Sequence, residues 1–179
     1  MKLRIAAKID PIDQQYVETH IRPLLDHPLI DFVGEIGEKE KPEFLGNAYA
    51  LLFPIDWEEP FGLVMIEAMA FGTPVIAFRR GSVPEIIDDG ATGFIVDDIE
   101  ESLHAVEKVL YFDRQRCRRV FEERFSVARF AGDYLKIYEK LLEVKYQSRL
   151  RRLAQLLSVQ SSRCLRMVLP VMPALFDAA

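Results

Sequence analysis

The alternation of short, continuously apolar segments with longer segments of helical periodicity is the feature that most constrains the fold of this chain. Apolar runs are predicted as strands over residues 3–7, 29–33, 50–53, 75–78 and 93–96. Because several of these runs are contiguous rather than alternating, they are typical of parallel strands that are buried on both faces. The sequence therefore predicts an α/β fold with a Rossmann-like parallel sheet and helices on both faces.

The segments between and after the strands are predicted as helices, and several have recognisable ends. They cover residues 10–25, 38–48, 62–71, 99–111 and 113–123, and a long helix runs from a Ser126 cap through at least residue 145. Gly72 follows the third of these helices, at a position where glycine commonly ends a helix. Ser82 and Glu85 have the spacing of a capping box, which predicts one more short helix.

Composition and charge exclude several classes of protein. The 179 residues are 50% hydrophobic and 28% charged, which is the ordinary mixture of a soluble globular chain. A net charge of −5 argues against a nucleic-acid partner. Cys117 and Cys164 form no disulfide framework and no metal-ligand spacing, which suits a reducing compartment. No uncharged apolar run approaches the roughly 20 residues of a membrane span, and we expect a cytoplasmic protein.

The end of the chain differs in character from the rest. We predict one domain over residues 1–145 and a basic helical tail, partly flexible, over residues 146–179. Tyr146, Leu150, Leu153 and Leu157 are spaced as one helical stripe. Our interpretation is a helix that continues onto another domain, with no membrane contact; the alternative is a basic amphipathic helix on a membrane surface. The end of the chain, residues 168–176, is interrupted by prolines and is expected either to pack against another surface or to fray.

Residues 53–76 contain the pattern that is most informative about a binding site. A strand, an acidic loop, a helix and another strand follow one another there. In a parallel sheet, the loop that leaves the carboxyl end of a strand is the usual ligand edge. The next helix directs its free N–H groups and its positive dipole end towards that edge, where phosphate binds. Gly62 lets the backbone approach a ligand closely.

Two acids flank the start of this helix. Glu67 is the only charged residue between Gly62 and Phe78 and has no ion-pair partner on its own helix. A carboxylate among apolar neighbours is costly unless something hydrogen-bonds it. Glu59 lies in the loop before the helix. The two acids lie on either side of a gap that has the size of a phosphate group. In these positions each acid can hold hydroxyls on one side of a diphosphate. A nucleotide sugar, with ribose on one side of its diphosphate and a hexose on the other, fits this arrangement.

The same residues also allow structural interpretations, which the sequence leaves open. Glu67 can pair with Arg79 or Arg80 instead of binding a ligand. Glu59 can be a solvated loop acid. Trp57 can flank a sugar or be buried under the loop.

The residues from Glu59 to Glu67 resemble the Glu-x7-Glu motif of retaining family-4, or group 1, glycosyltransferases. Gly-Thr-Pro-Val-Ile-Ala at 72–77, Gly-Ser-Val-Pro-Glu at 81–85 and the segment 89–96 follow in the order of the family, as do Arg-Phe-Ser at 124–126 and the segment 134–138. The resemblance covers roughly residues 3 to 142 and is to the carboxyl-terminal, donor-binding half of the two-domain GT-B enzymes.

This resemblance implies a role for each matching residue. Glu67 would hold the ribose hydroxyls of the donor nucleotide, and Glu59, the catalytic candidate, would contact and orient the donor sugar. The implied donor-binding residues also include the backbone amides at the helix start and the nucleobase loop after the second strand: Phe61, Gly62, Leu63, Glu35 and Ile36. Lys8 is a candidate local cation. The resemblance implies no metal and no cofactor; the donor is a nucleotide diphosphate sugar, UDP-glucose-like.

The resemblance also implies what lies outside the matched region. Nothing before Leu3 supplies the family's first strand–helix unit of this half, and the acceptor-binding domain is not found. We expect a hexosyltransferase domain that acts with retention on an unidentified acceptor and is inactive alone. The alternatives are a non-catalytic nucleotide-sugar-binding module or truncated fragment, and a nucleotide-sugar epimerase. Exposed sheet edges further predict an amino-terminal partner domain or a homo-oligomer.

Overall fold

A computed structural model describes residues 1–160 of the chain, with side chains described through residue 155. Strands form at all the predicted places: β1 (Leu3–Ala6), β2 (Ile30–Gly34), β3 (Leu51–Phe53), β4 (Val75–Phe78) and β5 (Gly93–Val96). Every strand pair is parallel, as predicted. The hydrogen bonds group the strands into a two-stranded sheet, β1–β2, and a three-stranded sheet with the order β3–β4–β5.

The helices follow the predicted pattern with shifted ends. They are α1 (Gln14–Tyr16), α2 (Arg22–Leu25), α3 (Lys41–Gly46), α4 (Leu63–Ala70), α5 (Val83–Ile86), α6 (Ile99–Lys108), α7 (Arg114–Phe125) and α8 (Val127–Gln160). The predicted helix over residues 10–25 is instead a succession of helical turns, with a π-helical segment at Val17–Ile21. Pro23 explains the irregularity, because it lacks an N–H and its ring displaces the carbonyl four residues earlier.

The core lies on both faces of β4. Val75 and Ala77 belong to one buried cluster with residues of α4 and α5. Ile76, which points to the opposite face of the strand, belongs to a second cluster with residues of β5 and α6. This arrangement confirms helices on both faces of the sheet, and it explains why the sequence of β4 is continuously apolar.

The predicted capping box at Ser82 is wrong. The backbone of Ser82 has φ −74° and ψ −9°, which is helical rather than the extended conformation of a capping residue. The amide of Glu85 donates to the carbonyl of Ser82 at 2.9 Å, and the buried Ser82 hydroxyl has no hydrogen-bond partner among the described residues. A short helix forms there nevertheless, because its apolar residues Val83 and Ile86 are buried in the core.

Arg114 ties the end of α3 to the entrance of β4. Its guanidinium donates to the carbonyls of Gly46 and Ala48 and, at 2.9 Å, to the hydroxyl of Thr73. Gly72 makes this possible, since a Cβ there would lie 2.7 Å from the carbonyl oxygen of Arg114. Glycine is therefore required at this position both for its φ of 69° and for the close approach of α7.

Replacing Arg114 by methionine is expected to lower the free energy of unfolding by about 2–4 kcal/mol, because hydrogen bonds to a charged donor are lost and carbonyls are left unpaired. Urea denaturation followed by circular dichroism measures the change. Arg119→Met is the control: Arg119 is exposed, and among the described residues its ion pair is with Asp113 at 3.4 Å, worth about 0–1 kcal/mol. Equal losses in the two variants would contradict the bridging role of Arg114.

The chain divides into two compact units at Ser126 and Val127. In the second unit, α8 runs without interruption through residue 145, where the sequence placed the domain boundary. Tyr146, Leu150 and Leu153 of the predicted stripe are exposed. The side chain of Leu157, together with Cys164 and the proline-broken end, lies outside the described residues. Of the helices that the structure describes, none has the length and apolarity to cross a membrane.

Candidate functional site

The start of α4 is capped by the side chain of Glu59. Gly62, with φ 72°, turns the chain into the helix, and its amide donates to Glu59 Oε1 at 2.9 Å. The amide of Phe61 donates to the same oxygen at 3.4 Å, and Trp57 Nε1 donates to Glu59 Oε2 at 3.2 Å. The interpretation of Glu59 as a solvated loop acid is therefore wrong.

The environment of Glu59 favours its charged form. Burial raises the pKa of this carboxyl, but the donors at Phe61, Trp57 and Gly62 outweigh burial, and the net pKa is lowered. The carboxylate is thus an anion fixed at the positive end of a helix. Its oxygens retain lone pairs beyond those used by the three donors. The predicted contact between Glu59 and the donor sugar stays a prediction.

Glu59→Gln is expected to remove an acid-dependent part of the stability. The folded-state pKa of Glu59 is depressed, so its contribution is present above the unfolded-state carboxyl pKa and is lost as the pH falls through the folded-state pKa. The variant should therefore be less stable than the wild type at pH 7, and the difference should shrink at low pH. Thermal unfolding at a series of pH values measures this; a difference independent of pH would contradict it.

The amides at the start of α4 are not equally available to a ligand. Those of Phe61 and Gly62, which the sequence assigned to the donor phosphate, already donate to Glu59. The amides of Leu63 and Val64 have no acceptor among the described residues. The unsatisfied donors that define a helix start therefore begin at Leu63, two residues later than the predicted set, which begins at Phe61. Leu63 belongs to both sets, and contact with phosphate stays a prediction.

Glu67 is paired with a lysine that the sequence analysis missed. Lys41 Nζ lies 2.9 Å from Glu67 Oε1, and the two side chains are 27% and 34% exposed. The alternative pairing with Arg79 or Arg80 is wrong, because those residues contact Asp97 and Asp56. Glu67 is thus ion-paired but still open to solvent.

Lys41 bridges two acids. Besides Glu67, its ammonium lies 2.7 Å from Glu38 Oε1. The hydrogen bonds with Glu38 and then Glu67 raise the pKa of Lys41 to about 12, despite an opposing effect of burial. The lysine therefore keeps its positive charge at any physiological pH.

The predicted nucleobase loop leads directly to this lysine. β2 ends at Gly34, Glu35 is exposed and Ile36 is half-buried. The loop is then closed by Glu40, whose carboxylate accepts from the amide of Gly37 at 2.8 Å. Lys41 is the first residue of α3. The structure thus connects the predicted base-contacting loop to Glu67.

Lys8 is not part of this arrangement. Its ammonium pairs with Asp10 at 3.1 Å, and both side chains are exposed. Among the contacts of the described residues, none joins Lys8 to Glu59 or Glu67. A role of Lys8 as the local cation stays a prediction, and the lysine that contacts a site acid is Lys41.

A second loop holds the acidic loop in place. The amide of Gly81 donates to Glu58 Oε2 at 2.7 Å, and the amide of Ser82 donates to the carbonyl of Glu59 at 2.9 Å. Trp57 nevertheless remains 61% exposed, so the interpretation that it is buried under the loop is wrong. Gly81 and Ser82 thus hold the acidic loop through their backbone amides.

The sequence contained a signal for Lys41 that went unused. Glu67 lies among apolar neighbours and lacks a partner on its own helix, so a cation from another element was required. The loop after β2 supplies the nearest candidates, because carboxyl-end loops of parallel strands share one edge. Lys39 lies in this loop and Lys41 directly after it, at the start of α3, and only the tertiary structure distinguishes them.

Comparisons with known proteins identify the family. The family model described as "Glycosyl transferases group 1" matches residues 10–123. An uncharacterized 41.2 kDa protein of the cps region of Klebsiella pneumoniae is 34% identical over 115 residues, which are 60% of this chain and 32% of that protein. The D-inositol 3-phosphate glycosyltransferase of Streptomyces scabiei is 36% identical over 77 residues, 43% of this chain and 17% of that protein. The chain thus spans a third or less of these relatives.

Solved structures agree with this assignment at the level of the fold. Anabaena Alr3699/HepE, solved in complex with UDP, superposes with a TM-score of 0.68 at 19% identity, over 78% of this chain and 41% of that one. This likeness confirms the predicted Rossmann-like fold, which corresponds to a part of the larger GT-B architecture. Because the family model covers more than half of the 179 residues, this chain belongs to the group 1 family of glycosyltransferases.

Proposed function

We propose that this chain binds the nucleotide diphosphate sugar donor of a retaining hexosyltransferase. The observation that carries the proposal is the start of α4, where the unsatisfied amides of Leu63 and Val64 lie between Glu59 and Glu67. A diphosphate accepts hydrogen bonds from such amides and is favoured by the helix dipole. Glu67 lies five residues beyond Gly62, about 7.5 Å along the helix axis, which is suitable for ribose hydroxyls.

Each half of the donor has a candidate partner in this arrangement. Glu67, with 34% of its side chain exposed, would accept from the ribose hydroxyls. Glu59, already oriented by Gly62 and Trp57, would accept from the hydroxyls of the sugar. Glu35 and Ile36 would contact the base. Hydrogen bonds from hydroxyls to a charged acceptor are the strong kind, so both acids would contribute substantially to affinity.

The choice of a UDP-linked donor rests on a relative. Alr3699/HepE binds UDP in its crystal structure, and its fold matches this chain. We therefore take UDP-glucose as the first donor to test. Catalysis in such a site would come chiefly from positioning and from stabilisation of the departing diphosphate.

Transfer itself is proposed to require an acceptor-binding part in addition to this donor-binding region. The chain aligns with 32% of the Klebsiella protein and 41% of the HepE chain. Coverage of this extent favours a second candidate function, a nucleotide-sugar-binding module that turns nothing over by itself. The two candidates differ in one respect: an added acceptor leads to cleavage of the bound donor in the enzyme but not in the binding module.

Isothermal titration calorimetry with UDP, UDP-glucose, GDP-mannose and ADP-glucose tests donor binding directly. Saturable binding of one nucleotide class supports the proposal, and its absence for all four overturns it. Release of free nucleotide that depends on an added acceptor supports an enzyme. Saturable binding without such release supports the binding module.

A further inference from the structure

We infer that Lys41 is a positioning residue for the nucleoside half of the proposed donor site. It holds one oxygen of Glu67 and, through Glu38, the loop that follows β2, and it thereby presents the other oxygen of Glu67 to the ribose. This inference rests on the proposed function and adds to the proposed site a residue other than the two flanking acids.

The geometry supports a bridge rather than a simple pair. Lys41 Nζ contacts Glu67 Oε1 at 2.9 Å and Glu38 Oε1 at 2.7 Å. Glu67 lies on α4 and Glu38 in the loop before α3, so one ammonium connects two different elements. Only Oε1 of Glu67 is used in this contact. The second oxygen remains available as an acceptor.

The bridge matters because a free glutamate side chain occupies many rotamers. Fixing such a side chain on ligand binding has an entropic cost, which a pre-existing contact reduces. An ion pair that stays partly open orients the carboxylate without sealing it from a ligand. Lys41 is 27% exposed, Glu67 34% and Glu38 85%, so the contact of Lys41 with Glu67 is the more shielded from solvent of its two ion pairs.

Removing this lysine should therefore affect the ribose contact selectively. Lys41→Met keeps most of the length of the side chain but loses its charge, whereas Lys41→Arg retains the charge. Lys39→Met is the matched control, since Lys39 is an exposed lysine two residues before Lys41, without an ion pair among the described residues. All variants are made in the full chain, and unchanged urea midpoints confirm that they fold.

The experiment titrates each variant with UDP and with 2′,3′-dideoxyuridine diphosphate, which lacks both ribose hydroxyls. Lys41→Met is expected to weaken UDP binding about fivefold to twentyfold and binding of the dideoxy analogue less than about twofold. Lys41→Arg should restore most of the affinity, and Lys39→Met should resemble the wild type. In a Glu67→Gln background, Lys41→Met should have little further effect, because both changes remove one interaction.

Other results overturn the inference in distinguishable ways. Equal losses for UDP and its dideoxy analogue, or a full additional loss in the Glu67→Gln background, would show that Lys41 acts independently of Glu67. An unchanged UDP affinity in Lys41→Met would remove the lysine from the site and leave the proposed function standing. Wild-type protein that binds UDP and the dideoxy analogue equally would overturn the ribose role of Glu67 and this inference with it, whereas the proposed function fails only if none of the nucleotides binds.

Discussion

Glu67→Ala is expected to weaken UDP binding about tenfold to a hundredfold while the fold persists. Hydrogen bonds from hydroxyls to a charged acceptor contribute about 1.5–3 kcal/mol, and each 1.4 kcal/mol corresponds to a factor of ten in affinity. The side chain is 34% exposed, so its removal leaves no sealed cavity, and alanine is a better helix former within α4. Lys41 keeps Glu38 as a partner. Calorimetry and urea denaturation measure the two quantities separately.

Glu43→Ala provides the comparison for this experiment. Glu43 is an exposed acid of α3 without an ion pair among the described residues, so its loss should change UDP affinity less than about twofold. Wild-type UDP affinity of Glu67→Ala together with a lowered unfolding midpoint would show that Glu67 has a structural role only. Its pairing with Lys41 would then be the whole explanation of a carboxylate in this apolar helix.

Gly81→Ala is expected to lower the free energy of unfolding by about 2–5 kcal/mol, and it should also weaken UDP binding. A Cβ at this position would lie 2.3 Å from the carbonyl oxygen and 2.5 Å from the amide nitrogen of Glu59. Both neighbours are backbone atoms, so the loop that carries Glu59 must move. The left-handed φ of 49° adds about 1–2 kcal/mol for any residue with a side chain, and overpacking adds about 1–3 kcal/mol.

Gly90→Ala separates these two contributions. Gly90 also has a left-handed φ, 71°, but a Cβ there would meet nothing within 4 Å. This variant should show the backbone cost alone and leave UDP binding unchanged. Urea denaturation gives the stability difference, and calorimetry shows whether displacement of Glu59 weakens binding. If both variants lose the same stability and bind UDP alike, contact between Gly81 and the acidic loop is unimportant.

Local patterns in the sequence were sufficient for most of the fold. β4 was predicted as residues 75–78 and β5 as residues 93–96, and both are observed at those bounds. Apolar runs between turn residues specify such strands regardless of distant contacts. Helix ends were less accurate: α3 is six residues long, whereas residues 38–48 were predicted. The residues before Lys41 form a turn closed by Glu40 and Gly37, which periodicity does not reveal.

The candidate site was only partly accessible from sequence. The two acids and the glycine at the start of α4 follow from the spacing of residues close together in the chain. The partner of Glu67 is 26 residues away, and Gly81 contacts Glu58 across 23 residues. The partners that the sequence suggested for Glu67 were Arg79 and Arg80, which contact Asp97 and Asp56 instead. Ser82 failed as a cap for a related reason, because its backbone amide is used by the carbonyl of Glu59.

The sequence alone therefore determined the parallel α/β arrangement and the helix start with two flanking acids. Strand burial and helix periodicity depend on residues that are close together in the sequence. Only the tertiary structure decided that Glu59 caps α4 and that Lys41, rather than Arg79 or Arg80, holds Glu67. Such pairings depend on which loops meet at the sheet edge, and this is set by the packing of whole elements. The sequence shows which charged residues are able to form ion pairs, and the distances in the folded chain decide which of these pairs form.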